Sequence, residues 1–197
     1  MKKRSNSNAK SGSSPLICSP FFVFDVESIG LHGEPYSVGW VVVDRSGEEL
    51  DSGRLAINPA LAHGQDDDRE WCEENIPAIP VTHLTMKAML SGFWGAWLEW
   101  KDRGALMAAE CAWPVEAKFL AMCVGAEWPQ SKWAGPYPLH EVASVMLAAG
   151  MDPMATYERL ENEMSKHEPL ADARQSARLL ITALRSVENN ELSRRPE

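Results

Sequence analysis

Apolar and polar positions divide this chain into runs of two different periods. Residues 20–27 open with a continuous apolar stretch, Phe21, Phe22, Val23 and Phe24, followed by Asp25, Val26 and Glu27. A small-residue turn, Ser28 to Gly30, follows. Residues 36–43 (Tyr-Ser-Val-Gly-Trp-Val-Val-Val) are rich in β-formers, and 48–57 set apolar Leu50, Leu55 and Ile57 among polar neighbours. Gly- and Pro-bearing turns at 32–35 and 44–47 join the three runs, which predicts an antiparallel meander. The period then lengthens. Leu84, Lys87-Ala88, Leu90-Ser91, Trp94 and Leu98 give a rough three-to-four spacing and predict a helix over 82–101, ended by Gly104.

A short apolar run at 105–110 reads as a fourth strand. Pro114 opens a helix over 115–124, Gly150 stops another over 139–149, and 153–160 reads as a short third. From Pro169 a long amphipathic helix carries Leu170, Ala173, Ala177, Leu180, Ile181 and Leu184 on one stripe. Residues 59–80 have no periodicity and read as a long surface loop with one helical turn near 69–74; the acid run at 66–68 is a solvated face. The predicted fold is an α/β sandwich: a mixed β-sheet, its antiparallel meander first, flanked by helices. One domain over 20–188 follows, with a basic, disordered leader at 1–19 and a polar tail at 189–197.

Charge and composition narrow the function classes. The net charge is −9, and the first ten residues hold Lys2, Lys3, Arg4 and Lys10 with no acid, so the remainder carries −13. That balance argues against broad, non-specific binding to a nucleic-acid backbone. It leaves room for an enzyme that grips only a strand end through metal ions. No apolar run approaches a membrane span, and the leader lacks a signal-peptide core. Cys18, Cys72, Cys111 and Cys123 form no C-x-x-C pair and no zinc spacing, which fits reduced thiols in a cytoplasmic protein.

The chemistry begins at the end of the first strand. Side chains alternate across a strand, so Asp25 and Glu27 point the same way. Two neighbouring carboxylates after an apolar lead-in repel each other unless a cation sits between them, and a hard divalent ion is the natural occupant. Further acids follow at Glu110 and Glu116, and Asp172 lies in the first turn of the last helix, where the dipole favours a carboxylate. His167 stands five residues before Asp172.

Together, D-x-E-S-x-G-L at 25–31, G-x-V-V-V at 39–43, E-x-x-F-L at 116–120 and H-x4-D at 167–172 resemble the DEDDh 3'→5' exonucleases, over nearly all of 21–187. That family includes the proofreading exonuclease subunit of bacterial DNA polymerase and RNase T, and the resemblance implies a ribonuclease-H-like fold. By it, Asp25, Glu27 and Asp172 are metal-binding acids, His167 is the general base, and Ser28, Gly30 and Leu31 touch the terminal nucleotide. The family's middle motif is F-D-x-x-F-L. Here Val115-Glu116 stands in that register, so Glu116 replaces the usual Asp, with Glu110 its rival for the third acid.

The implied cofactor is Mg²⁺ or Mn²⁺, two ions, and the implied reaction is removal of nucleoside monophosphates from the 3' end of single-stranded DNA or RNA. Two cations roughly 4 Å apart suit phosphodiester hydrolysis. A histidine whose unperturbed pKa is about 6.5 suits removal of a proton from the attacking water. The alternative is a catalytically weakened member that binds nucleic-acid ends or a protein partner, motivated by Glu116 and the acidic surface. A ribonuclease-H-type endonuclease is a third reading, less well matched by the H-x4-D pair. The Trp-rich helix, with Trp94, Trp97 and Trp100, hints at a homodimer face.

Overall fold

The continuous apolar run at the start of the first strand reflects burial on both sides. In the computed structural model, which describes residues 19–193, this strand, β1 (Phe21–Ser28), is central in a five-stranded sheet. The others are β2 (Pro35–Val43), β3 (Glu49–Ala56), β4 (Leu106–Ala109) and β5 (His140–Glu141). Their order is β3-β2-β1-β4-β5. The meander is antiparallel, whereas β4 runs parallel to β1 and β5 parallel to β4. The expected mixed α/β sheet, meander first, is therefore present.

Strand alternation sorts the helices into two layers. Phe22, Phe24 and Val26 face α2 (Met86–Asp102) and α3 (Val115–Ala126), packing with Met89, Phe93, Trp94, Trp97 and Phe119. Phe21 and Val23 face α4 (Val142–Ala148) and α5 (Pro169–Ser193), packing with Met146, Ala173, Ala177, Leu180 and Ile181. Asp25 and Glu27 continue the second row, so both carboxylates lie on the α5 side.

Several expected boundaries move. The aperiodic stretch 59–80 contains a ten-residue helix, α1 (Asp66–Asn75), rather than a loop with one turn. Its only buried side chain is Cys72, so it carries no apolar stripe, and its three leading acids suit the positive end of the helix dipole. The second helix starts four residues late, capped by Thr85, because Thr82 instead bonds Ala56 of β3. Pro114 is the N-cap of α3, one place before the first helical residue. The helix expected from 139 starts at Val142, because His140 and Glu141 pair with β4.

No helix forms over 153–160. The chain there is a turn and then an extended strap, leading into a 3-10 turn at Glu161–Glu163. α5 runs on to Ser193, so the expected polar tail is helical in its first half. The basic leader lies outside the described residues, apart from Ser19. Trp94, Trp97 and Trp100 are buried core, which removes the surface stripe that hinted at a homodimer. Among the described residues, no helix is long and apolar enough to cross a membrane.

Candidate functional site

The parallel β1–β4 ladder ends at Phe24 and Ala109. Beyond it β1 continues through Asp25, Val26 and Glu27 with no β4 partner on that side. On its other side Asp25 pairs with Gly39 of β2. A Cβ on Gly39 would lie 2.2 Å from the Leu170 backbone nitrogen. The missing side chain thus lets the start of α5 settle directly onto the sheet and brings Asp172 down beside Asp25 and Glu27.

That start of α5 is firmly tied. The Glu168 carboxylate accepts the Ala171 N–H at 2.8 Å and a bond from Arg54 of β3 at 2.7 Å. One turn later Arg174 grips Glu49 of β3 at 2.8 and 3.0 Å. Just before the helix, His167 adopts a left-handed backbone with φ of 61°. Its N–H donates to Asp172 Oδ2 at 3.0 Å, and donor atoms of Glu27, His167 and Asp172 all lie within 4.8 Å of one another. The H-x4-D spacing thus folds His167 and Asp172 into one turn. The His167 ring stands edge-on to Trp71 of α1, with centroids 5.4 Å apart.

Glu116, in the first turn of α3, accepts the Val26 N–H, which the departure of β4 leaves unpaired by the sheet. Glu110 is exposed and accepts a bond from Ser176 Oγ at 3.2 Å. Both acids raise the pKa of Asp25, Glu116 more than Glu110, and Glu116 is itself desolvated by burial.

The carboxyls repel one another in a poorly solvated space, and both effects favour their protonated forms. Burial, then Glu27, Asp172, Glu116 and Glu110 push Asp25 well above the usual carboxylate range. Glu27 is pushed up to about 8, chiefly by burial and by Asp172. Burial takes Glu116 up to about 7. Asp172 is raised by burial despite the opposing pull of Arg159. His167 is lowered, mainly by burial, which keeps its ring neutral and able to accept a proton at neutral pH. Glu27, His167 and Asp172 could hold a metal ion, and oxygen donors flanking a single imidazole suit a hard divalent one.

Ser28 ends β1, and Gly30 and Leu31 lie in the turn that follows. Ser28 Oγ donates to the Gly30 carbonyl at 2.6 Å, and Gly30 takes φ of +64° beneath the Asp68 carboxylate. Leu31 is 64% exposed, an apolar side chain standing free at the site's edge. Lys118 of α3 donates to the His32 and Gly33 carbonyls at 2.8 and 2.7 Å.

Three residues at the cluster have no local signal for the contact they make. Trp71 lies in a helix without an apolar stripe. Gly39 sits inside the recognisable G-x-V-V-V run, but its contact is with a helix 130 residues later. Arg159 belongs to the irregular strap, yet its Nη2 is 2.5 Å from Asp172 Oδ1. Compared with known proteins, the chain matches no family model and no curated protein.

Proposed function

We propose that this protein is a metal-dependent 3'→5' exonuclease with a ribonuclease-H-like sheet, acting on single-stranded 3' ends of DNA or RNA. One observation carries the reading: Glu27 of the central strand meets His167 and Asp172 at the mouth of α5, with donor atoms within 4.8 Å. Asp25, beside Glu27, and Glu116 complete an acidic wall. The meander leading into parallel strands, with helices on both faces, agrees with the proposed fold.

In this mechanism Asp25, Glu27, Glu116 and Asp172 would hold two Mg²⁺ or Mn²⁺ ions. When bound, such ions would supply Lewis-acid stabilisation of charge on the phosphoryl oxygens. The neutral imidazole of His167 takes the proton of the attacking water. Asp172, bonded to the His167 N–H, fixes the turn that aims the ring, and Trp71 supports its edge. The Ser28–Gly30 turn and Leu31 wall off the strand beyond its last nucleotide, which makes the reaction one of ends. Its product is a nucleoside 5'-monophosphate. We place the protein in the cytoplasm, where the free thiols of Cys72, Cys111 and Cys123 stay reduced.

The test is incubation with a 3'-overhang DNA and a short RNA in Mg²⁺ and in Mn²⁺. Trimming that disappears in Asp25→Ala and His167→Ala supports the enzyme. The second reading is a weakened member that holds ends or a partner without cleaving. It is favoured by Glu116, a longer acid in the family's Asp position that burial raises to about 7. Cation binding without trimming at high protein concentration would select it.

A further inference from the structure

Arg159 is out of place as a surface residue. It lies on the irregular strap before His167, yet its side chain is only 18% exposed. One guanidinium nitrogen, Nη1, donates to the Glu163 carbonyl at 2.7 Å, with the Ser165 carbonyl at 3.5 Å. The other, Nη2, reaches into the carboxyl cluster and stops 2.5 Å from Asp172 Oδ1. The second Asp172 oxygen is the one bonded by His167. A single carboxylate therefore links an arginine to the proposed base. Lys166, the other cation that influences His167, is exposed on the turn.

The strap that carries Arg159 is anchored elsewhere. Glu163 is buried and takes two bonds from Arg178 of α5, at 2.6 and 2.8 Å. Arg178 also bonds the Glu158 carbonyl, and Gln175 bonds the Tyr157 carbonyl. Arg159 is thus free of any task in holding the strap to α5 other than its reach toward Asp172. A charge count shows what else it suits. Asp25, Glu27, Glu116 and Asp172 carry four negative charges when ionised, which two divalent ions balance. The guanidinium is then a surplus positive charge, and a monoanion restores neutrality. A phosphodiester is such an anion, and a planar guanidinium matches two of its oxygens at once.

We propose that Arg159 is a phosphate-binding residue of this site, held on Asp172 in the cation-free protein and turned to the scissile phosphate of a bound strand. Its N–H groups donate to non-bridging phosphoryl oxygens, where charge builds in the transition state. This inference rests on the nuclease reading for its substrate, but its test is separate from catalysis.

The test is calorimetric titration of the Ca²⁺-loaded protein with 5'-AMP and 5'-dAMP, and with adenosine and deoxyadenosine as ligands that lack phosphate. Arg159→Gln is expected to weaken the tighter-binding nucleotide on the order of tenfold or more while leaving the matching nucleoside unchanged. It is also expected to bind Ca²⁺ several-fold more tightly, because Asp172 is no longer shared. Thermal unfolding first checks that the variant folds. If it does not, Arg159→Lys replaces it, with a smaller loss expected because the charge remains and the fork is gone.

Nucleotide affinity that ignores Arg159, an equal fall in nucleoside affinity, or a wild-type protein that binds neither nucleotide would overturn the proposal. The two readings separate cleanly. A protein that binds nucleotides through Arg159 but trims no strand refutes the nuclease and supports the phosphate site. One that trims strands with Arg159-independent nucleotide affinity does the reverse.

Discussion

Gly39 of β2 and Leu170 of α5 meet backbone to backbone, close enough that a methyl group on Gly39 would sit 2.2 Å from the Leu170 nitrogen. Gly39 is also the cross-strand partner of Asp25. One missing side chain therefore sets how near the helix bearing Asp172 comes to the strand bearing Asp25 and Glu27.

Gly39→Ala is expected to push the start of α5 off the sheet. The overpacking should cost about 1–3 kcal/mol in urea unfolding, with a larger loss in divalent-cation affinity than the stability change alone explains. Gly95→Ala is the contrasting control. A Cβ at Gly95 in α2 meets nothing within 4 Å, and alanine there should stabilise by roughly 0.5–1 kcal/mol.

The carboxyl cluster makes stability depend on pH in an unusual direction. Asp25, Glu27, Glu116 and Asp172 all have folded-state pKa values above their ordinary ones, so the folded protein binds more protons than the unfolded chain between the two. Their combined contribution therefore falls as pH rises from about 4.5 to about 8, the value reached by Glu27. His167 and His140, both lowered chiefly by burial, work the opposite way below about 6.5, but they are two groups against four. In EDTA, Tm should drop between pH 5.5 and pH 8, and Mn²⁺ should raise it more at pH 8. Glu27→Gln should flatten the slope. A metal-free Tm that rises over this range would refute the account of the cluster.

Glu116 and Glu110 should separate under substitution. Glu116→Gln removes the acid that accepts the Val26 N–H, and trimming should fall roughly 100-fold or more. Glu110→Gln removes an exposed partner of Ser176 and should leave trimming within about twofold. Steady-state rates on one oligonucleotide decide between them.

Trp71 should matter to rate more than to stability. It is about half exposed, so Trp71→Ala should change unfolding free energy by no more than about 1 kcal/mol. Loss of its edge contact frees the His167 ring, and kcat should fall roughly tenfold or more. Trp71→Phe, which keeps an aromatic edge, should recover most of it.

The core of this architecture was legible because burial leaves a simple trace. Phe21–Phe24 and Val41–Val43 read as strands since both faces are covered, and the Leu180 stripe read as a helix since only one is. α1 escaped because it buries one cysteine and leaves no period to detect. The strap at 153–160 escaped for the opposite reason: its composition suits a helix, but Gln175 and Arg178 of α5 take the Tyr157 and Glu158 carbonyls and the Glu163 carboxylate instead. At the site, Glu27, His167 and Asp172 could be named because strand alternation and the H-x4-D turn are local. Trp71, Gly39 and Arg159 act across distant segments, and no local spacing encodes such contacts.

The most direct measurement uses a single strand, 5'-labelled when linear and internally labelled when circular, incubated with Mg²⁺ or Mn²⁺. The account predicts a ladder that shortens one nucleotide at a time from the 3' end, release of nucleoside 5'-monophosphates, an intact circle, and loss of all shortening in His167→Ala. Cleavage of the circle, or full-length strands persisting at high protein concentration with cation bound, would contradict it.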